Sequence, residues 1–94
     1  MKIQHQETGS KGEVFVEQEN ERVAEMTYSW AGDDKFIIDH TEVDPKFEGK
    51  GLAKELVFAG ADYARKNGKK VIPLCTYAKN TFNKNAELQD VLSA

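Results

Sequence analysis

Hydrophobic and polar residues alternate along the first half of the chain in a pattern typical of antiparallel β-strands. Two alternating runs, residues 12–17 and 22–30, are separated by a short polar segment that predicts a tight turn. A second turn leads into the β-branched and aromatic run Lys35–Val43, which predicts a third strand. Residues 3–7 predict a further strand at the sheet edge. The first half is therefore expected to form an antiparallel sheet.

After residue 50, the spacing of the hydrophobic residues changes from the two-residue period of a strand to the 3.6-residue period of a helix. Leu52, Leu56 and Tyr63 recur at helical spacing and form one apolar stripe, while charged residues occupy the opposite side. Gly68 follows directly after an asparagine and suits the left-handed cap that ends many helices. The pattern predicts one long amphipathic helix beginning near residue 51.

A short apolar run at residues 71–75 predicts a buried strand after this helix. Residues 78–85 predict a second, short helix, and residues 87–94 either add another helical turn or fray. Because a strand, a helix and a strand in succession form a βαβ unit, the two strands should be parallel. The 94 residues predict a single α+β domain over residues 1–94, with a mixed sheet, antiparallel N-terminal strands, a βαβ crossover and helices packed on the sheet.

Composition narrows the functional classes. The net charge of −3 argues against a general nucleic-acid binder, which is normally basic. Cys75 is the single cysteine, so an internal disulfide is excluded, a cysteine-type zinc site is not expected, and a reducing compartment is favoured. The start of the chain lacks the apolar core of a signal peptide, and no apolar run approaches the roughly 18 residues of a membrane span. Cytoplasmic localisation, no membrane association and no metal site are the resulting expectations.

The connection between the third strand and the long helix is the strongest candidate for a binding site. Gly49 and Gly51 stand just before the helix, where backbone amides and the helix dipole together attract an anion such as phosphate. Lys46, Lys50 and Lys54 recur every four residues around these glycines. The segment lacks the Gly-Lys-Ser/Thr ending of a P-loop and the third glycine of a dinucleotide-binding fingerprint. An ordinary glycine-containing connection with solvated lysines is the alternative interpretation.

The run Glu48-Gly49-Lys50-Gly51-Leu52-Ala53 resembles the acetyl-CoA pyrophosphate loop of the GNAT superfamily of N-acetyltransferases. Gly51 and Ala53 match the fourth and sixth positions of the motif Arg/Gln-x-x-Gly-x-Gly/Ala. Glu48 stands at the first position, where arginine or glutamine is usual, so its carboxylate is expected to point away from the phosphates. The resemblance spans about residues 36–82. The run Pro73-Leu74-Cys75-Thr76-Tyr77 also reproduces the Pro-x-Cys-x-Tyr strand of a subfamily of very small GNAT-like proteins.

The resemblance implies that the chain binds acetyl-CoA and transfers its acetyl group to an amine acceptor, either a small molecule or a protein lysine. The pantetheine arm would lie beside the end of the third strand like an added strand, and the pyrophosphate would lie on the amides before the long helix. Lys79 and Lys84 of the second predicted helix would meet the CoA phosphates, and plain solvated charges are the alternative. The cofactor-binding residues expected on this basis are Thr41, Glu42, Val43, Glu48, Gly49, Lys50, Gly51, Leu52, Ala53, Lys54 and Lys79.

Cys75 and His40 are the candidate catalytic residues, because both stand near the carboxyl ends of the two strands that the resemblance makes parallel. The Cys75 thiolate would either take the acetyl group before passing it to the amine, or act as the acid that protonates the leaving CoA thiolate. His40 would be the base, provided that both side chains reach one cleft. Plain packing of Cys75 in a core-like run, and a half-buried structural His40, are the alternatives.

Two other functional classes stay open from the sequence alone. The chain is much shorter than a typical GNAT enzyme and lacks the segments that usually form the acceptor wall, which favours a CoA-binding module without catalysis. A protein-interaction domain that keeps only the scaffold is the third possibility, and Glu48 at the usual arginine or glutamine position is the feature that favours it.

Overall fold

A computed structural model describes residues 2–93 of the chain as one five-stranded sheet with two α-helices on it. Short 3₁₀ segments follow the fourth strand and the second helix. No helix among the described residues has both the length and the apolar character needed to cross a bilayer. The elements are β1 (Ile3–Thr8), β2 (Lys11–Gln18), β3 (Glu21–Trp30), β4 (Lys35–Val43), a 3₁₀ turn (Pro45–Phe47), α1 (Leu52–Lys66), β5 (Lys70–Pro73), α2 (Thr76–Lys84) and a 3₁₀ segment (Ala86–Val91).

The strands lie in chain order across the sheet. The first four pair antiparallel, as expected for strands joined by tight turns, and β5 pairs parallel to β4 after the α1 crossover. The β4–β5 ladder is short, running from Lys35 opposite Lys70 to Ile38 opposite Pro73. The predicted mixed sheet is thereby confirmed, including the edge strand β1.

The predicted strand over residues 71–75 is wrong at its end. β5 stops at Pro73, and Leu74 is 67% exposed instead of buried. Cys75 belongs to the next element, because it caps α2 and its Sγ accepts a hydrogen bond from the Ala78 amide. The second helix therefore begins at Thr76, two residues earlier than predicted. A proline followed by a capping side chain explains why the chain leaves the sheet at this point.

The hydrophobic core lies on one face of the sheet, where α1 and α2 pack against the strands. Buried side chains of β2 and β3 meet the apolar stripe of α1 there, namely Val14, Val16, Ala24, Met26 and Tyr28. Gly60 lets α1 approach β3 closely, because a Cβ at this position would stand 2.6 Å from the methyl carbon of Met26. The opposite face, called the open face below, carries side chains such as Glu13, Thr27 and Ser29 and is not covered by either helix described in residues 2–93.

A ring cluster fills the end of the sheet where β4 begins. The rings of Tyr28, Trp30, Phe36 and Tyr63 pack with centroids 4.6–6.4 Å apart, an arrangement that adds to area burial. One oxygen of the Glu7 carboxylate accepts hydrogen bonds from Tyr28 (2.6 Å), Trp30 (2.9 Å) and Tyr63 (3.2 Å). We call these five residues the aromatic end.

The aromatic end perturbs its titratable groups in opposite directions. The hydrogen bond from Tyr28 is the main cause that lowers the pKa of Glu7, and burial partly opposes it. Burial is in turn the main cause that raises the pKa of Tyr28, with the Glu7 carboxylate adding to it. The pKa of Tyr63 is raised in the same way, because burial and the charge of Glu7 both disfavour its ionised form. The cluster thus favours a charged carboxylate held by neutral phenols, and it ties the edge strand β1 to β3 and α1.

Candidate functional site

A slot opens between β4 and the start of α2 because the β4–β5 ladder ends early. The amides of Leu74 and Cys75 both donate to the carbonyl oxygen of Ile38, at 3.0 and 3.1 Å, and the chain then turns into α2. Within residues 2–93, the edge of β4 from residue 39 to Val43 has no strand paired on this side. Such an edge offers backbone donors and acceptors to an extended ligand that lies alongside it, as in β-strand addition.

A cavity of about 480 Å³ continues the slot toward the beginning of α1. β4 supplies one wall, α2 supplies another, and the loop after the 3₁₀ turn closes the end. This volume falls in the range of pockets that hold small molecules and cofactors. The lining residues are Thr41, Val43, Phe47, Glu48, Gly49, Gly51, Leu52, Ala53 and Tyr77. Seven of these nine are among the residues expected from the sequence to bind the cofactor.

The glycine loop at the end of this cavity needs glycine for conformational reasons. Gly49 and Gly51 have φ angles of +82° and +77°, which other residues adopt only with strain. A Cβ on either glycine would meet no protein atom within 4 Å, so the protein itself does not crowd these positions. Gly51 is the N-cap of α1 and brings no capping side chain to the first helical amides. Exposed amides, open space and the positive end of a 15-residue helix together fit a bound pyrophosphate.

Of the charged residues near the cavity, Glu48 lines it, whereas none of the nearby lysines is among its lining residues. The backbone of Glu48 departs from the 3₁₀ turn in an extended conformation. Lys50, Lys54 and Lys79 are exposed, and the Lys54 ammonium lies 5.6 Å from the centroid of the Phe58 ring. The cavity wall also contains Phe47, which the sequence analysis did not select. The sequence feature that could have identified Phe47 is an apolar residue isolated between two charged residues, Lys46 and Glu48.

Cys75 lies at the opening of the slot, on the side that faces the helices. Its Sγ is 3.3 Å from the Thr41 hydroxyl oxygen of β4 and accepts the Ala78 amide, also at 3.3 Å. The side chain is partly buried, so the sulfur is neither in the sealed core nor fully in solvent. The structure therefore brings together Cys75 and Thr41, two of the residues selected from the sequence.

His40 lies on the other face of the sheet, which differs from the single cleft expected from the sequence. The register shifts by one residue at Asp39, so that His40 pairs with Thr27 and Thr41 pairs with Met26. Because neighbouring residues of a strand point to opposite faces, Thr41 faces Cys75 and His40 faces the open side. A bulge of this kind cannot be located from alternation alone, because Phe36 to Val43 contains apolar residues at both parities. The two candidate catalytic side chains therefore flank β4 from opposite faces.

The open face around His40 is acidic. The His40 ring is 3.0 Å from the Glu42 carboxylate, and Glu25 of the neighbouring strand stands opposite Glu42. One atom from each of Glu25, His40 and Glu42 lies within 4.8 Å of the others. Glu42 thus contributes its side chain to this face, although its backbone borders the slot. Glu25 was missed by the sequence analysis, and only the register between β3 and β4 reveals its place.

Comparisons with known proteins agree with this geometry. A family model described as GCN5-related N-acetyl-transferase matches residues 12–91. No curated protein matches the sequence significantly. Among solved structures, a GCN5-like N-acetyltransferase candidate from Staphylococcus aureus is 32% identical, and the alignment covers 97% of this chain and 88% of that chain with a TM-score of 0.73.

Larger acetyltransferases share the fold at lower identity. A predicted acetyltransferase from Clostridium acetobutylicum, solved with acetyl-CoA, is 15% identical over 80% of this chain and 56% of its own, with a TM-score of 0.66. An aminoglycoside acetyltransferase from an uncultured soil metagenomic sample, in complex with sisomicin, is 17% identical over 84% of this chain and 59% of its own, with a TM-score of 0.69. The present chain spans little more than half of these two proteins. The predicted acyl-CoA N-acyltransferase fold is confirmed, while the subfamily defined by the Pro-x-Cys-x-Tyr run stays a prediction.

Proposed function

The chain belongs to the family of GCN5-related N-acetyltransferases, and we propose that it binds acetyl-CoA in the slot and transfers the acetyl group to an amine. The coenzyme supplies an activated acetyl thioester. The glycine loop and the start of α1 would hold its pyrophosphate through backbone amides, and the free edge of β4 would pair with the amide groups of its pantetheine arm. Exposed Lys79 and Lys54 would meet its phosphates.

The observation that carries this proposal is the continuity between three features. The cavity of about 480 Å³ joins the uncapped start of α1 to the edge of β4 beyond Ile38, and its lining residue Thr41 contacts the sulfur of Cys75. An anion site, an extended edge and a thiol in this order match the order of pyrophosphate, pantetheine and thioester along acetyl-CoA. Gly68 also combines a positive φ with open space in an ordinary helix cap, so what distinguishes Gly49 and Gly51 is that both line this cavity beside the start of α1.

Cys75 would carry the chemistry on the slot side of β4, because His40 faces the open side and does not share that cleft. In one route the Cys75 sulfur forms a bond to the acetyl carbon as the bond to CoA sulfur breaks, and the amine then takes the acetyl group and releases Cys75. In the other route the amine attacks directly, and Cys75 gives its proton to the departing CoA sulfur. In both routes the amine must lose a proton. The Cys75 thiolate that each route leaves would accept it.

The first experiment separates these roles with isotopically labelled acetyl-CoA and the Cys75→Ala variant. We expect the wild-type protein to acetylate a test amine, and we expect the variant to bind CoA with unchanged affinity while its turnover falls by at least about 100-fold. Intact-mass analysis without an amine then asks whether one acetyl group stays on the protein. Unchanged turnover of Cys75→Ala would reject both roles of the thiol and leave direct attack without it.

A CoA-binding module without catalysis is the second candidate, and one observation favours it. The chain spans only 56–59% of the larger acetyltransferases described above. Tight CoA binding, with neither an acetylated Cys75 nor an acetylated amine, would support the module. A suitable amine panel contains free lysine, a lysine peptide, a polyamine and an aminoglycoside such as sisomicin, the ligand of the metagenomic relative.

A further inference from the structure

We infer that the hydroxyl of Thr41 is a positioning group for Cys75, an inference that rests on the role proposed for the thiol. It is distinct from the expected cofactor contact of Thr41, which uses the backbone. The hydroxyl holds the sulfur at the free edge of β4 and provides a hydrogen-bond partner for it in either protonation state.

Two groups from different elements fix the position of the Cys75 sulfur. Cys75 is the N-cap of α2, and its Sγ accepts the Ala78 amide at 3.3 Å. The Thr41 oxygen approaches the same sulfur at 3.3 Å from β4. Because the amide can only donate, the thiol hydrogen is free to be donated to the Thr41 oxygen. Two elements, one strand and one helix, thus determine the direction of a single thiol.

A β-bulge at Asp39 directs the Thr41 side chain toward Cys75. Strict alternation from the buried Phe36 and Ile38 would place residue 40, not residue 41, on the face of the helices. The register shift at Asp39 exchanges the two. The hydroxyls of Thr27 and Ser29 donate to the two carboxylate oxygens of Asp39 and hold the shifted residue on the open face. A bulge that redirects one side chain beside a candidate active site is a recurrent use of this irregularity.

A hydroxyl group can form a hydrogen bond with sulfur in either protonation state of the thiol. A threonine hydroxyl accepts a hydrogen bond from a thiol, and it rotates to donate one when the sulfur has lost its proton. A valine of the same shape offers neither bond. Serine offers both, although it lacks the methyl group that restricts rotation. The pair Thr41→Val and Thr41→Ser therefore separates the hydroxyl from the shape of the side chain.

The experiment compares Thr41→Val with Thr41→Ser and with the matched control Thr81→Val. Thr81 is a buried threonine of α2 whose hydroxyl donates to the Tyr77 carbonyl and is not in contact with Cys75. The vibrational S–H stretching band reports the hydrogen bond donated by the thiol, and the single cysteine makes its assignment unambiguous. Steady-state kinetics with acetyl-CoA and an accepted amine supply a second readout, and urea unfolding confirms that each variant is folded.

We expect Thr41→Val to move the S–H band toward that of a free thiol and to lower kcat about three- to tenfold, the factor for one lost net hydrogen bond. The KM for acetyl-CoA should change less than about twofold, because the backbone of residue 41 stays in place. Thr41→Ser should retain the wild-type band and rate, and Thr81→Val should change neither.

An S–H band of Thr41→Val identical to the wild-type band would overturn the inference, as would a Thr41→Ser variant as slow as Thr41→Val. The two proposals fail in different ways. If the wild-type protein acetylates no amine, the proposed function fails, while the band shift still decides whether Thr41 directs the thiol. If Cys75→Ala is fully active but the band shifts, the contact exists without serving catalysis.

Discussion

The two ends of the sheet, the aromatic end and the slot, differ in how many of their polar groups have hydrogen-bond partners within the chain. At the aromatic end, the Glu7 carboxylate satisfies three ring donors at once, and Phe36 and Tyr28 are almost completely buried. At the slot, the helix begins without a capping side chain, β4 continues without a neighbour, and Leu74 and Tyr77 are 67% and 42% exposed. Within residues 2–93, the aromatic end has completed its hydrogen bonds, whereas the slot keeps backbone groups without a partner strand or a capping side chain.

This difference indicates where the stability of so small a domain is concentrated. Unfolding free energies of about 5–15 kcal/mol leave little surplus for a chain of this size. Every buried side-chain nitrogen or oxygen within residues 2–93 has a hydrogen-bond partner. The incomplete groups at the slot are backbone amides and exposed side chains, which water satisfies until a ligand arrives. Damage at the aromatic end should therefore unfold the protein, whereas damage at the slot should impair binding.

The largest expected effect tests the aromatic end directly. Phe36 is fully buried and packs against three other rings, so Phe36→Ala should lower the free energy of unfolding by about 3–5 kcal/mol. Tyr77→Ala at the slot is the matched control, and its cost should stay below about 1 kcal/mol because the ring is 42% exposed. Urea unfolding followed by circular dichroism measures both. Equal losses in the two variants would contradict the division between the two ends.

The next effect separates backbone strain from ligand binding. Gly51→Ala and Gly68→Ala each place a Cβ at a positive φ, +77° and +66°, with no protein atom within 4 Å. Both should lower stability by a similar amount, about 1–2 kcal/mol. Only Gly51→Ala should also weaken CoA binding, by about tenfold or more, because only this glycine borders the cavity. Calorimetric titration with CoA measures both affinities. Equal affinities in the two variants would show that the glycine loop does not contribute to CoA binding.

Local patterns predicted most of the fold, and the failures are instructive. Alternation located β2 to β4, and helical spacing located α1, since each element buries one face. The end of β5 was misplaced because Val71 to Cys75 reads as one apolar run, whereas the proline and the capping thiol end it at Pro73. The glycine loop could be recognised because glycine is the residue that most readily adopts a positive φ, and two glycines stand directly before the helical pattern.

The relation between His40 and Cys75 could not be recognised from the sequence. It depends on a register shift at Asp39, and that shift is held by the hydroxyls of Thr27 and Ser29 from another strand. Long-range hydrogen bonds of this kind leave no periodic trace in the chain. The same reason hid Glu25, which approaches His40 only through strand pairing.

A smaller effect concerns the pH dependence of the aromatic end. Hydrogen bonds lower the pKa of Glu7 in the folded protein, so the unfolded chain binds more protons near its ordinary value. The contribution of Glu7 to stability is therefore complete above the unfolded pKa and is lost as the pH falls through the folded pKa. The stability difference between wild type and Glu7→Gln should shrink as the pH is lowered from 7 to about 3.

Urea unfolding at several pH values measures this difference. Glu19→Gln, in the turn between β2 and β3 and remote from the rings, is the control. A difference between wild type and Glu7→Gln that grows toward low pH would show that the carboxylate is not held by the phenols.

The smallest effect is expected for an exposed lysine of α2. Lys79→Ala should weaken CoA binding about two- to fivefold at low ionic strength, and added salt should reduce the effect because exposed charges are screened. Lys84→Ala, in the last turn of the same helix, is the matched control and should change the affinity less. Identical affinities of both variants and the wild type at low salt would exclude a phosphate contact of Lys79.

The one-sided core has a consequence for how such a chain diversifies. Within residues 2–93, Phe15 is the buried apolar residue outside the core cluster, and the Arg22 guanidinium lies 3.8 Å from its ring centroid. Substitutions at neighbouring positions such as Glu13 or Glu25 therefore cost little folding energy, because they do not disturb interior packing, whereas Thr27 holds the register shift at Asp39. Natural drift or a randomised library can therefore change many side chains of the open face while the fold is retained. Binding properties of that face can evolve independently of the core.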